Sequence, residues 1–510
     1  MGTNKQIAKN IIYNIISFGI GLIISFFFTP YLIRVVGKEA YGFYPLAENI
    51  MGYTQILTAA VGSMAGRFVT MSYYKDDKEG SASYFNTVLV AYIFFAALFT
   101  VLGIIFVFFL SHVLNIPEGL ELEVKILFFF AVLSLSARLA TTNLGLGTYV
   151  KNRIELNSSR NVSVGVTRVV LILLLFWIFK PSIVFMSMSA LGATLLGCYF
   201  DISFKRKLLP EIPINFKKYF SWSKLKELVS SGIWLSLNNL SNVLVISLDL
   251  LLTNIFISAS STADLSIAKQ VPHLLGSVGG LIATTFTPNF NILYAQEKKK
   301  ELIHEINKSM IILSVLTSIP LGFFLINSDA FFKLWVPSAY TEEIYWLAFV
   351  SMIPMISGLC TNTLFGIFTI TNMRKVPAIA LFITGIVNVA LLFVLLKFTN
   401  LGVFAIVLSS AITLTLRNLL FTPIYGAMCL NLKKSVFFPK LFKGLLSVLI
   451  VVIVTLLFRN IISQDSWMMF VLNAFVVGLL SITIIFFTIL TKEEKRYLLN
   501  LVSSRIKRKS

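Results

Sequence analysis

Cysteine is scarce in this chain: Cys198, Cys360 and Cys429 are the only three among 510 residues, and no two form a CxxC pair. That excludes a disulfide framework and a cysteine-based zinc site. Histidine is as rare, and His112, His273 and His304 are too scattered to suggest a metal centre. Charged residues make up only 13%, against roughly 25% in soluble proteins. HExxH, GxxxxGK[ST] and GxSxG are all missing, so zinc peptidase, built-in ATPase and serine hydrolase chemistry have no footing. Gly145-Leu-Gly147 lacks the third glycine of a nucleotide fingerprint and sits inside an apolar block. The expectation is a chain with no catalytic residue, no metal and no cofactor, and not an enzyme.

What is abundant is apolar sequence: 57% of residues are hydrophobic, gathered in blocks between short charged loops. A membrane-crossing helix needs about 20 apolar residues to cover about 30 Å of hydrocarbon. Spans are expected at 10–33, 44–70, 84–112, 124–149, 162–179, 182–204, 228–257, 263–294, 306–327, 342–371, 376–396, 401–427, 443–462 and 467–490. Those at 44–70, 263–294 and 342–371 are long and polar enough to be tilted or broken. Lys5 and Lys9 precede an apolar stretch from Ile11 to Ile33. That stretch is too long for the 7–15-residue core of a signal peptide, so it reads as an uncleaved first helix.

The net charge of +20 would suggest nucleic acid in a soluble protein. Here the loops account for it. With the N-terminus inside, the inner segments hold 31 Lys and Arg, the outer segments 7, and helices the remaining 5. This is the positive-inside pattern, with both termini cytoplasmic and no nucleic-acid partner. The bilayer itself is the expected partner surface.

The expected fold is an all-α integral membrane protein of about fourteen transmembrane helices, in two six-helix lobes with a pseudo-two-fold repeat plus two extra helices. The N-terminal lobe is placed at 1–204, a basic and aromatic cytoplasmic linker at 205–227, and the C-terminal lobe at 228–427. The two additional helices fall at 428–491 and a basic tail at 492–510. A shift of 224 lays the first helix on the seventh, pairing Asn14 with Asn238 and Thr29 with Thr253; a shift of 222 lays the second on the eighth.

Polar side chains interrupt the apolar blocks. Asn10, Asn14, Ser17, Gly21, Ser25 and Thr29 fall on one helical face. Glu48 and Asn49 mark the second helix, and Asn238, Asn242 and Asp249 the seventh. The small residues suit helix packing; the Asn, Asp and Glu positions suit a wet cavity. Five cations lie within helices: Arg67, Arg138, Arg168, Lys269 and Arg417. Arg67 is near an inner end and can snorkel, as can Arg168. Arg138 and Arg417 are deeper, where a charge costs about 2.5–3.5 kcal/mol even on a lenient scale. Asp249 has three readings: a Na⁺ or H⁺ coupling site, a partner for a cavity arginine, or a cavity wall.

Thr29-Pro-Tyr-Leu-Ile-Arg34, then Gly37-Lys-Glu-Ala-Tyr-Gly42, then Gly62-Ser-Met-Ala-Gly-Arg-Phe68 resemble the start of Wzx-type flippases. These carry O-antigen or capsule repeat units and belong to the multidrug/oligosaccharidyl-lipid/polysaccharide exporter superfamily. The resemblance implies two six-helix bundles around a central cavity in a bacterial inner membrane. It implies a lipid-linked oligosaccharide substrate, undecaprenyl-pyrophosphate carrying a sugar repeat, moved outward by alternating access. A polysaccharide polymerase is a candidate partner. Arg138, Arg168 and Arg417 fit the pyrophosphate-holding role by depth, with Arg67 and Lys269 as further cations. The alternatives are a cation-coupled multidrug exporter of the same fold, which should have an acidic cavity, and a lipid II or teichoic-acid flippase. A membrane glycosyltransferase would need larger outer loops.

Overall fold

A computed structural model of the chain describes residues 4–495. Among them every regular element is helical, and the chain divides into two compact units between Ser266 and Ile267. The first unit contains α1 (Asn4–Val36), α2 (Lys38–Gly52), α3 (Gln55–Tyr74), α4 (Lys78–Val113), α5 (Glu121–Thr142) and α6 (Gly147–Val150). It continues with α7 (Ile154–Ile178), α8 (Ile183–Leu208), α9 (Phe216–Tyr219), α10 (Trp222–Asn242), α11 (Leu248–Phe256) and most of α12 (Ala259–Ala268). The second holds α13 (Gln270–Thr284), α14 (Thr287–Ala295), α15 (Lys299–Trp335), α16 (Glu342–Thr361) and α17 (Phe365–Ile370). It ends with α18 (Lys375–Phe398), α19 (Val403–Leu416), α20 (Thr422–Cys429), α21 (Phe438–Arg459) and α22 (Trp467–Thr488). Short polar residues start many of these helices by accepting an orphan backbone N–H: Asp77 for α4, Ser182 for α8 and Thr341 for α16.

Twelve helical rods among the described residues are long and apolar enough to cross a membrane. Their outward faces are lined with large apolar side chains: Trp177 is 84% exposed and Phe108 75%. Such a surface suits lipid. The expected spans 44–70 and 263–294 are not among these twelve; they are divided into the shorter or more polar helices α2 and α3, and α12, α13 and α14. Between α2 and α3 the chain turns at Tyr53 and Thr54. Thr54 Oγ1 donates to the Met51 carbonyl at 2.7 Å, and the Tyr53 hydroxyl donates to the Ser247 carbonyl at 3.0 Å. Side-chain hydroxyls that bond nearby backbone compete with the helical ladder. Pro272 and Pro288 do the same work around α13, since each removes a backbone donor.

The helix order of the first unit recurs in the second with a nearly constant register. α3 ends at Tyr74 and α14 at Ala295, 221 residues on; α4 begins at Lys78 and α15 at Lys299, again 221. The turns agree: Asp76 and Glu297 both have positive φ, as do Asn152 and Asn372. α1 ends at Val36 and its counterpart, the α10–α11 rod, at Phe256, a register of 220. The shift of 224 read from polar residues therefore differs by four, which is about one helical turn and keeps the same face.

The α10–α11 rod is built into the first unit although it opens the sequence repeat. Gly232 on α10 packs against the backbone of Ala60 on α3, and Asn239 Nδ2 donates to the Gln55 carbonyl at 3.2 Å. α15 is the central helix of the second unit, with 78% of its apolar window buried; α1, at the edge of its unit, has 0%.

The basic linker is docked along its length. Lys205 Nζ donates to the carbonyls of Leu209 and Ile212 at 2.7 and 2.8 Å. Buried Asn86 donates to the Pro213 carbonyl at 2.9 Å and accepts from Asn215 N at 3.0 Å. Of the basic tail, residues 496–510 lie outside the described residues. Glu494, just before them, accepts from Lys440 and Lys443 of α21 at 2.7 and 3.2 Å.

Candidate functional site

A cavity of about 260 Å³ opens inside the first unit between α2, α5, α7 and α8. Each helix gives one face to it, as the spacing shows. α2 gives Tyr44, Ala47, Glu48 and Met51; α5 gives Leu127, Ala131, Ser134 and Arg138; α7 gives Arg160, Asn161, Val164 and Arg168; α8 gives Ser187, Ala190, Thr194 and Gly197. Three guanidinium groups thus share the wall with one carboxylate, Glu48.

Each arginine is held differently. Arg168 lies over the Tyr44 ring, 4.8 Å from its centroid, and the Tyr44 hydroxyl donates to Glu48 Oε1 at 3.2 Å. Arg160 is anchored on α8: Nη2 donates to Asp201 Oδ2 at 2.8 Å and Nε to the Gly197 carbonyl at 3.2 Å. Arg138 sits one helical turn before the 3₁₀ turn Asn143–Leu146, close enough to Glu48 to interact electrostatically. No carboxylate lies within salt-bridge distance of Arg138 or Arg168 among the described residues. The ionised lining is therefore in cationic excess, and a guanidinium fork suits phosphate oxygens.

Of the residues expected to form a site, the structure brings Glu48, Arg138 and Arg168 together around this cavity. Asn14 and Ser25 lie exposed on α1, and Arg67 is exposed on α3. Asn49 is half-buried on α2, as is Asn238 on α10, while Asn242 is exposed at the end of α10. None of these lines the cavity. Asp249 is buried on α11, 1% exposed, with Thr253 Oγ1 donating to its carbonyl at 2.7 Å. Lys269 and Arg417 belong to the second unit. Lys269 is half-buried at the break between α12 and α13. Arg417 opens a π-helical turn, Arg417–Phe421, and lies 5.3 Å from the centroid of Phe365; its Nε has no hydrogen-bond partner. The turn precedes Pro423, whose missing N–H disturbs the ladder there. π-turns are common where a side chain is re-aimed for function.

The cavity also holds residues that sequence reasoning passed over. Arg160 counts as an inner-loop cation by charge tally, yet it lies within α7, two turns before Arg168. The spacing of eight residues on one face was the available signal. Asp201 falls within the expected span 182–204 and is 4% exposed behind Arg160. Among the described residues no three of His, Cys, Asp and Glu gather to hold a metal ion.

The glycines of the opening motif have structural work. Gly37 has φ +90°, open to glycine alone, and lets α1 end and α2 begin with one residue between them. Gly42 faces Ala263, and a Cβ there would come within 2.9 Å of the alanine methyl. Lys38 pairs with Asp264 at 2.6 Å beside it.

Known proteins share this architecture. A membrane protein of Bacillus subtilis (strain 168), EpsK, described as uncharacterized, is 27% identical over 486 residues, covering 95% of this chain and 96% of that one. The lipid II flippase MurJ in an inward closed conformation superposes with a TM-score of 0.62 at 14% identity, over 95% of this chain and 99% of that chain. A transporter of the MOP superfamily from Pyrococcus furiosus, described as having a binding pocket of reversed polarity, gives 0.61 at 14% identity, over 85% and 96%. An inward-facing multidrug resistance MATE transporter gives 0.59 at 14% identity, over 82% and 98%. At such identities these structures establish a common fold. The family model described as "Polysaccharide biosynthesis protein" matches residues 7–293, more than half of the sequence, and the chain belongs to that family.

Proposed function

We propose that this protein is a flippase that carries undecaprenyl-pyrophosphate-linked oligosaccharide repeats from the cytoplasmic to the outer leaflet by alternating access. It does so for cell-surface polysaccharide synthesis. The observation that carries the reading is the cavity of the first unit, where Arg138, Arg160 and Arg168 face a single lining carboxylate. A volume of about 260 Å³ is at the small end for ligand sites. It suits a charged headgroup and leaves the lipid tail in the bilayer and the sugars outside it. Family membership and the fold shared with a lipid II flippase point the same way. The membrane is the bacterial inner membrane, with both termini cytoplasmic as the loop charges indicate. Arg417, within the second unit, is a further candidate substrate-binding cation, and Asp249 is the candidate for Na⁺ or H⁺ coupling. A polysaccharide polymerase is the candidate partner that receives the product.

A cation-coupled multidrug exporter shares the fold but needs a cavity that attracts cations. The excess of arginine over carboxylate disfavours it. The test is deletion followed by extraction of lipid-linked oligosaccharide. Accumulation on the cytoplasmic side, reversed by the wild-type gene, supports the flippase; an unchanged pool with normal polysaccharide export sinks it. Arg138→Ala and Arg417→Ala, at normal expression, should each abolish rescue.

A further inference from the structure

The three cavity arginines are not equivalent. Arg138 and Arg168 have no side-chain hydrogen bond among the described residues. Arg160 has three: Nη2 to Asp201 Oδ2 at 2.8 Å, Nε to the Gly197 carbonyl at 3.2 Å, and Nη1 to Asn161 Oδ1 at 3.3 Å. A guanidinium has five N–H donors, so two are left without a protein acceptor at the cavity wall. Asp201, 4% exposed, is a carboxylate that would be costly to bury without this partner.

Two glycines make room for the pair. A Cβ on Gly145, in the turn after α5, would come 2.7 Å from Asp201 Oδ1. A Cβ on Gly197, one turn before Asp201 on α8, would come 3.1 Å from Arg160 Nη2. Three elements thus converge on one ion pair. This also accounts for Gly145, which belonged to no nucleotide motif.

We propose that Arg160 is a further headgroup-binding residue and that Asp201, with the Gly197 carbonyl, is its positioning group. Asp201 fixes the guanidinium plane so that its two remaining donors meet the diphosphate without a loss of side-chain freedom on binding. Arg138 and Arg168 add charge without that fixed orientation. The inference rests on the flippase reading and deepens it.

The test uses the full chain in lipid nanodiscs, with undecaprenyl pyrophosphate and uncharged undecaprenol as probes and native mass spectrometry as readout. Arg160→Ala and Asp201→Asn should each weaken undecaprenyl pyrophosphate binding by about tenfold or more, as expected for charge-assisted hydrogen bonds. Undecaprenol binding should be unchanged. The double variant should bind no more weakly than Arg160→Ala alone, because both changes act through one guanidinium. Wild-type affinity in Arg160→Ala overturns the proposal. Wild-type affinity in Asp201→Asn, with Arg160→Ala weakened, overturns the positioning role. Equal loss of both lipids shows a structural pair only and also overturns it. If the wild-type chain itself ignores undecaprenyl pyrophosphate, the flippase reading falls together with this inference. A defect confined to the variants separates the two.

Discussion

Gly232 on α10 lies so close to Ala60 on α3 that a Cβ added to it would sit 2.1 Å from the Ala60 carbonyl oxygen. The obstacle is backbone, which cannot rotate away. Gly232→Ala must push the two helices apart, and overpacking of this kind costs about 1–3 kcal/mol. Thermal denaturation in detergent should show the loss. Gly280→Ala is the control, since nothing lies within 4 Å of a Cβ there. Equal melting temperatures for wild type and Gly232→Ala would contradict the packing described.

Gly37 makes a second prediction by a different route. Its φ of +90° and ψ of 151° fall where side chains other than hydrogen clash with their own backbone. No neighbour crowds it, so the cost is purely conformational. Gly37→Ala should destabilise by about 1–3 kcal/mol. The same assay should show a comparable penalty for Gly37→Ser, because the strain depends on having any Cβ at all. An unaffected alanine variant would mean that α1 and α2 are joined by a different backbone path.

The helical, membrane-spanning character of the chain was legible from its apolar blocks, and so were the weak points. The segments 44–70, 263–294 and 342–371 read as long and polar, and each is interrupted: between α2 and α3, between α12, α13 and α14, and between α16 and α17. The breaks in the first two follow local chemistry, Thr54 hydrogen bonding and Pro272 and Pro288, which sequence displays. The cavity was only partly legible. Depth within a block singled out Arg138 and Arg417; Arg138 lines the cavity, as does the shallower Arg168, while Arg417 lies in the second unit. Arg160 was obscured because charge tallies treat a cation near a loop as part of the loop, while the α7 helix starts at Ile154 and carries it inside. Asn14 and Ser25 show the opposite limit. A polar face on α1 says which residues share a side, and only packing decides whether that side meets a cavity.

Tyr44 offers a test of how Arg168 is held. Its ring lies under the guanidinium and its hydroxyl reaches Glu48. Tyr44→Phe keeps the ring and removes the hydroxyl; Tyr44→Leu removes both. A cation–π contact of this kind is worth about 0.5–2 kcal/mol. Export by Tyr44→Phe should stay near wild type, while Tyr44→Leu should fall several-fold, approaching Arg168→Ala. Equal export by the two Tyr44 variants would remove the ring from the account.

The docked linker predicts a defined pH response. Glu211 accepts hydrogen bonds from Tyr73 and from Lys151, the latter at 3.0 Å, and Lys151 also donates to the Tyr73 hydroxyl. Burial pushes the Glu211 carboxyl up, but the bonds from Tyr73, the backbone and Lys151 outweigh it and bring it down to about 2. Its stabilisation is therefore complete above the ordinary value of about 4.5 and is lost as pH falls toward about 2. Lys151 is shifted the other way. Burial lowers it, while Tyr73 and Glu211 raise it further above 10.5, so its share is complete below 10.5 and disappears as pH rises through the raised value. Both partners are partly exposed, so the pair contributes at most about 1 kcal/mol. Glu211→Gln should lower the melting temperature slightly at pH 7. The gap from wild type should narrow from pH 4.5 toward pH 2, as the wild-type carboxylate takes up its proton. A gap that stays constant over that range would show that the carboxylate charge does not hold the linker.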